Sequence, residues 1–426
     1  MDKMEKIQQI KEDVRNKVMA RVKKSSLNYG ADESQVRRQI EAVLDTVVQQ
    51  KMEGHIDDAV RRFIIEEIIN EIFGLGPIDR LVNDPGVWEI MVNGPKEVYV
   101  EREGKLQKTD IAFEDEGQLH FYIERILSPS GRRVTEFEPY IDARLPDGSR
   151  LNVVRAPIAP GGPVLTIRKA RHKVLEIQDL INKHTMDEKT AHFLKACVRN
   201  HLNIVIVGGP GSGKTTILNI LASFIPDSER MITIEDTLEL RMDNKHRVAL
   251  ETRPSNIEGK GGINIRDLVR NALHMRPDRV IIGEVRGEEA LDMLQCMNIG
   301  RVGSMTTLHA NSALDALLRL ETMAMMGSAN VSPELIKRQI ISAIDLVVVV
   351  DRLLDGTRRV VSVTEVLKTN AMEYALKDIY ALIRKDEGTA VAFELKATGY
   401  KPVFVEKFRE TDHLPEEFRV SSRSTA

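Results

Sequence analysis

Residues 203–224 read NIVIVGGPGSGKTTILNILASF, and this stretch decides the kind of fold the chain builds. An apolar, β-favouring run, NIVIV, leads into a loop nearly bare of side chains, and an apolar helical run leads out of it. GGPGSGKTT at 208–216 fits G-x-x-x-x-G-K-[ST] through Gly208, Gly213, Lys214 and Thr215. Only so bare a loop turns its backbone N–H groups inward around a phosphate, and the helix N-terminus behind it adds positive potential. Gly208, Gly209, Pro210, Gly211, Ser212, Gly213, Lys214, Thr215 and Thr216 are therefore expected to cradle ATP. Lys214 would reach the β- and γ-phosphates, and the Thr215 hydroxyl would ligate Mg2+.

Working outward, helical segments alternate with apolar strands, MITIED, RVIIGE, GSMTTLH and LVVVVD, which is the signature of a three-layer α/β domain. Two of these strands end in acids. A nucleotide site needs an acid near magnesium, directly or through water, and a polar group that orients the attacking water. RVIIGE presents Glu284 at the end of a strand expected to lie beside the phosphate-loop strand, so metal-side duty suits it. ITIEDTLEL at 232–240 presents Glu235, Asp236 and Glu239, of which Glu239 is the choice for general base and Glu235 reads as a solvated acid. Gly283, where an aspartate is usual, suggests close backbone approach near the phosphates. His309, in GSMTTLHANS, follows another strand of the same sheet.

The amino-terminal half has a different texture. Ile7, Ile10, Val14 and Val18, then Val36, Ile40, Val43 and Val47, recur at helical spacing around a break at SSLNYGADES. A third helix from Val60 to about Phe73 stops at GLGP. Short strands follow at 87–92, at 97–102 and on either side of the turn PDG at 146–148, with one helix near 116–127 between them. The expected organisation is a helical leader over 1–73, a small α+β domain over 74–170, a linker over 171–185 and an ATPase domain over 186–426.

Bulk properties exclude several classes. With 61 basic against 64 acidic residues the formal charge is −3, which gives no whole-chain pull toward nucleic acid or anionic lipid. The charged start, MDKMEKIQQIKEDVRNK, is neither a secretory signal nor a membrane anchor. AIDLVVVV, among the most apolar runs, is too short to span a bilayer. Two widely separated cysteines, Cys197 and Cys296, make neither a disulfide framework nor a zinc site, and a reducing cytoplasm is the expected compartment.

The order GGPGSGKTT, TIEDTLEL, LHMRPDRVIIGEVRG, GSMTTLHANS resembles the secretion-ATPase superfamily that powers type II and type IV secretion and type IV pili. Its marks are a Walker A loop, an acidic Asp box, an atypical Walker B ending in Gly-Glu, and a His box. FGLGPIDRLVNDPGVWEIMVNGPKEVYVEREGKL and IDARLPDGSRLNVVRAPIAPGGPVLTIRK are similar to the tight-adherence pilus assembly branch. Where a smaller, Ser-containing stretch is usual after GRR, this chain has VTEFEPY at 134–140, which leaves that loop's contacts open. The resemblance spans about residues 60 to 370. It implies an α/β, RecA-like P-loop ATPase domain preceded by a small PAS-like α+β domain and a helical leader. It further implies a cytoplasmic homohexamer at the inner face of the membrane, peripheral through its partners only, working with inner-membrane pilus or secretion platform proteins and holding no zinc. Carried over residue by residue, it assigns catalysis to Glu239, Glu284 and Lys214, gives His309 the sensing of the γ-phosphate or a neighbouring subunit, and places metal at Thr215 and Glu284. Arg150, Arg155 and Arg168, on the strands of LPDGSRLNVVRAP and LTIRK, would add guanidinium groups, with Arg276 and Arg286 as further candidates.

The leading expectation is thus MgATP hydrolysis coupled to assembling or retracting a pilus, or to secretion. A RecA-like DNA-acting ATPase is disfavoured by the acidic balance and by the lack of interleaved aromatic and basic residues. A nucleotide-binding regulator that does not hydrolyse is disfavoured by Glu239 and Glu284.

Overall fold

In the computed structural model the described residues are 9–18, 33–51, 56–102, 104–128, 133–145, 147–170, 175–253, 255, 260–300, 303–327, 330–353, 355–369, 373–387, 390–408 and 418. The chain divides into two compact units, Met1–His172 and Lys173–Ala426.

In the first unit, helix α1 over 9–18, α2 (Glu33–Lys51) and α3 (Asp58–Phe73) bury one apolar stripe each. Ile10, Val14, Val36, Ile40, Ile64 and Ile68 meet in a common core, as helical spacing requires of residues on one face. Ile7 and the break at SSLNYG lie outside the described residues. Gly76 takes φ +65 and leaves no room for a Cβ, which would come within 2.4 Å of the Tyr122 ring, so the turn after α3 requires glycine.

A short helix α4 (Asp79–Asn83) then enters a six-stranded antiparallel sheet. Its strands are β1 (Val87–Asn93), β2 (Val98–Arg102), β3 (Lys105–Lys108), β4 (Tyr140–Arg144), β5 (Arg150–Val154) and β6 (Val164–Arg168), in the order β3-β2-β1-β6-β5-β4. Helix α5 (Glu116–Leu127), N-capped by Asp115, packs Leu119, Ile123 and Ile126 into the same core as Ile90, Leu151 and Ile167. Strand alternation leaves the other set of residues to line up across the sheet.

The second unit opens with α6 (Ile177–Asn182) and α7 (Glu188–Arg199). The stretch expected as a linker is therefore partly a helix. A capping box between Glu176 and Asp179 starts α6, and Leu180 is buried in the main core. The remaining elements are β7 (Ile204–Val207), α8 (Lys214–Ala222), β8 (Met231–Glu235), β9 (Arg247–Glu251), α9 (Ile265–Leu273), β10 (Arg279–Ile282), α10 (Glu289–Asn298), β11 (Met305–Leu308), α11 (Ala313–Met326), α12 (Pro333–Ala343), β12 (Leu346–Arg352), β13 (Arg358–Val366), β14 (Leu376–Glu387) and β15 (Ala390–Ala397). They form a nine-stranded sheet ordered β15-β14-β13-β12-β7-β11-β10-β8-β9, parallel from β12 to β9 and antiparallel beyond β12.

Helices cover both faces of the parallel part, so its strands are apolar on both sides. Ile204 and Ile206 of β7 face one core, and Val205 and Val207 face the other. The fold is the α/β, RecA-like class with a small α+β domain and helices ahead of it. One detail differs from expectation: β11, not β10, flanks β7 on the catalytic side, so the Glu284 strand stands two places from the phosphate-loop strand. Among the described residues no helix is long and apolar enough to cross a membrane.

Candidate functional site

The phosphate loop connects β7 to α8, at the carboxyl end of the parallel strands, where ligands of open α/β sheets bind. Gly211 and Gly213 take φ +70 and +99, conformations that side-chain-bearing residues resist. At Gly208 an added Cβ would come 2.1 Å from the Val350 carbonyl oxygen and 2.6 Å from Ser212 Oγ. Lys214 is 7% exposed, and its Nζ donates to the carbonyls of Gly208 at 3.0 Å and Gly209 at 2.9 Å.

From Lys214 the site continues through His309 to Glu284. Lys214 Nζ stands 3.3 Å from His309 Nδ1, and His309 Nε2 stands 2.8 Å from Glu284 Oε1. An ammonium only donates, so Nδ1 accepts and the imidazole proton belongs on Nε2, the nitrogen nearer the carboxylate. Burial and then the Lys214 charge push the His309 pKa down, which agrees with a neutral ring. Because β11 lies between β7 and β10, its end places the histidine between lysine and glutamate. The strand order that separates the Glu284 strand from the phosphate-loop strand is what creates this link. Glu284 Oε2 accepts from Arg286 Nη2 at 2.6 Å, and Arg286 Nη1 reaches Asp236 at 3.6 Å. Arg286 thus belongs to the site, and a cavity of about 330 Å³ opens beside it and Asp236.

The Asp box is built differently from its sequence reading. Glu235 is 3% exposed, and its Oε1 accepts the backbone N–H groups of Glu239 and Leu240, each at 2.9 Å. Burial lifts its pKa above the usual carboxylate range, although these two N–H groups oppose the shift. Glu235 is therefore not a solvated acid but the brace of the turn that carries the exposed Glu239. Leu238 N donates to Glu251 Oε1 and Arg241 N to Asn219 Oδ1, so β9 and α8 hold the same segment. Gly283 packs against this brace: a Cβ there would meet Glu235 Cγ at 3.1 Å.

In the amino-terminal unit, Arg150 and Arg168 are direct cross-strand partners, and Arg144 continues the row beyond Arg150. On the other side Arg168 faces Glu89. Like charges directly opposite one another disfavour a sheet, so such a row is a natural anion platform. Arg144 was legible only once the register was known. Arg155 does not join it. It stands one residue beyond β5, and its Nη1 donates to the Val134 carbonyl at 3.2 Å. Arg276 also falls outside the site, since it precedes β10 and lies at the opposite end of that strand from Glu284.

The residues present fit a magnesium nucleotide. Ser212 Oγ is buried in the loop with no hydrogen-bond partner, as an atom awaiting a phosphate oxygen would be. Thr215, in the first turn of α8, and Glu284 offer oxygen donors. Such a pair suits a cation that shares its shell with phosphates and water.

Residues 71–399 match the family described as Type II/IV secretion system protein. The chain is 32% identical over 314 residues to the conjugal transfer protein TrbB of Rhizobium radiobacter, covering 72% of this chain and 92% of that protein. It is 28% identical over 315 residues to the type IV secretion system protein VirB11 of Bartonella henselae, covering 66% and 88%. Among solved structures, the VirB11 ATPase of the Brucella suis type IV secretion system in complex with sulphate is 27% identical, with a TM-score of 0.37 and coverage of 68% and 95%. A match over most of the chain, in phase with a phosphate loop, a braced Asp box, a Gly-Glu strand end and a histidine between them, makes this chain a member of the type II/IV secretion system protein family.

Proposed function

We propose that the protein is a MgATP hydrolase working as a cytoplasmic homohexamer at the inner face of the membrane. It would couple hydrolysis to assembly or retraction of a type IV or tight-adherence pilus, or to related secretion through inner-membrane platform proteins. The observation that carries the reading is the continuous contact from Lys214 through His309 to Glu284, beside a Glu239 whose backbone is held in place. Lys214 bonds its own loop carbonyls. A phosphate in the loop would give it an anionic partner, and His309, 3.3 Å from Lys214 and 2.8 Å from Glu284, would carry that change to Glu284. Glu239 would take the proton of the attacking water, and Thr215 and Glu284 would hold magnesium, directly or through water, which when bound would supply positive charge to the phosphates. Arg150 and Arg168, with Arg144 beside them, would supply the guanidinium charge that phosphoryl transfer needs, whereas Arg155, bonded to the Val134 carbonyl, would not.

Steady-state ATP hydrolysis by the wild-type chain, Glu239→Gln and Glu284→Gln tests this. Each substitution should lower kcat by about 10²-fold or more while MgADP affinity changes little. Unchanged turnover in both variants would reject the catalytic assignment. Strong stimulation by single-stranded DNA with steep salt dependence would favour the DNA-acting alternative.

A further inference from the structure

We infer that Arg358 is a positioning residue for nucleotide binding, holding the phosphate loop from the side of the β12–β13 hairpin so that its backbone N–H groups stay turned toward the phosphates. The inference rests on the nucleotide-binding reading above and adds a residue that none of the loop, Asp-box, Gly-Glu or His-box motifs contains.

The hairpin flanks the loop closely. The Val350 carbonyl of β12 stands where a Gly208 Cβ would be, and the turn beyond is closed by Leu353 N to Thr357 O at 2.8 Å and by Thr357 Oγ1 to Asp355 Oδ1 at 2.7 Å. A defined turn fixes where β13 starts, and β13 starts at Arg358. From there Arg358 Nε donates to the Gly211 carbonyl at 2.8 Å, and its Cδ lies 3.3 Å from where a Gly213 Cβ would sit.

The consequence follows from peptide geometry. In a planar trans peptide the C=O and the next N–H point in opposite directions, so tying the Gly211 oxygen to Arg358 turns the Ser212 N–H the other way. That N–H is only weakly engaged within the loop, 3.4 Å from the Gly209 oxygen, and remains available to a ligand. Gly211 takes a left-handed φ and has nothing within 4 Å of a hypothetical Cβ, so no packing contact on that side holds it in place. Binding then loses less conformational freedom, because part of the ordering is already done. Charge acts in the same direction. Arg358 pairs in register with Arg352, a like-charge pair, whereas the next pair, Asp351 with Arg359, is balanced. Cross-strand partners share a face, so the loop's flank carries excess positive charge, where an anionic ligand gains.

The test uses the full-length chain, MgADP and isothermal titration calorimetry, with ATP hydrolysis measured in parallel. Arg358→Gln should raise the MgADP Kd about tenfold, the loss expected for one charge-assisted hydrogen bond. It should raise KM for ATP by a similar factor while kcat stays within about twofold, since the contact serves ground and transition states alike. Arg358→Lys, which keeps the charge but carries carbon at the ε position, should still bind about threefold more weakly or worse. Arg359→Gln, the same charge change one residue on, should leave affinity unchanged. Wild-type affinity in Arg358→Gln overturns the inference, as does equal weakening by Arg359→Gln or full rescue by Arg358→Lys. A lowered ligand-free Tm with unchanged Kd overturns it too, by showing a purely structural role. A wild-type chain that neither binds MgADP nor hydrolyses ATP rejects the nucleotide reading itself, and this inference with it.

Discussion

Single residues in this protein take their roles from neighbours that sequence does not reveal. Glu235 and Asp236 are adjacent acids at one strand end, yet one is buried under the Asp-box turn and the other is exposed toward Arg286. The same holds for Glu89 in the amino-terminal sheet, which sits between Arg168 on one strand and Glu101 on the other. Its pKa is raised, chiefly by burial, with Arg168 opposing and Glu101 adding to the shift. A carboxyl raised in the folded state contributes stability that is fully present below its unfolded value and is lost as pH climbs through the folded one. Glu89→Gln removes that dependence. Its Tm minus the wild-type Tm should therefore grow between about pH 4 and about pH 7 in parallel thermal melts. A difference that shrinks over this range would mean that attraction to Arg168 outweighs the cost of burial.

At the scale of elements, the parallel core and the antiparallel extension are tied together by one aromatic cluster. Phe193 of α7 stands 5.6 Å from Tyr380 of β14, 5.2 Å from Phe418 and 6.3 Å from Phe404, ring centre to ring centre. Nothing in the last fifty residues announces this by motif, because aromatic spacing in a sequence does not say which helix the rings will meet. Phe193→Ala should cost about 3–5 kcal/mol in urea unfolding, the range for truncating a buried aromatic. A cost under about 1 kcal/mol would show that the C-terminal strands add little to the core. Strands and helices of the parallel part were legible as such, since each strand buries both faces and so is a continuous apolar run, while each helix buries one stripe and so repeats near every 3.6 residues. Their lateral order was not, and that order is what sets His309 between Lys214 and Glu284.

For the whole molecule, substitution of the arginines of the amino-terminal unit tests whether they take the catalytic part proposed for them. Arg150→Gln and Arg168→Gln, from the in-register row, should each lower kcat for ATP about 10²-fold while MgADP affinity shifts by less than about threefold. Arg155→Gln should instead act on folding, with a loss of about 1 kcal/mol from the freed Val134 carbonyl and near-normal turnover. Equal loss of turnover in all three would return Arg155 to the catalytic set.

The sequence alone determined the phosphate loop, the alternation that makes an α/β sheet, the amphipathic helices and the acids at the strand ends. These are properties of adjacent residues: backbone freedom, hydrophobic period and residue chemistry. Tertiary structure decided what depends on residues far apart in the chain. It made Glu235 a brace, packed Gly283 against that brace, aligned Arg144 with Arg150 and Arg168, excluded Arg276, and brought Arg358 to Gly211 across 147 positions of chain. Strand order and register set those contacts, and both are fixed by the packing of the whole sheet against its two cores.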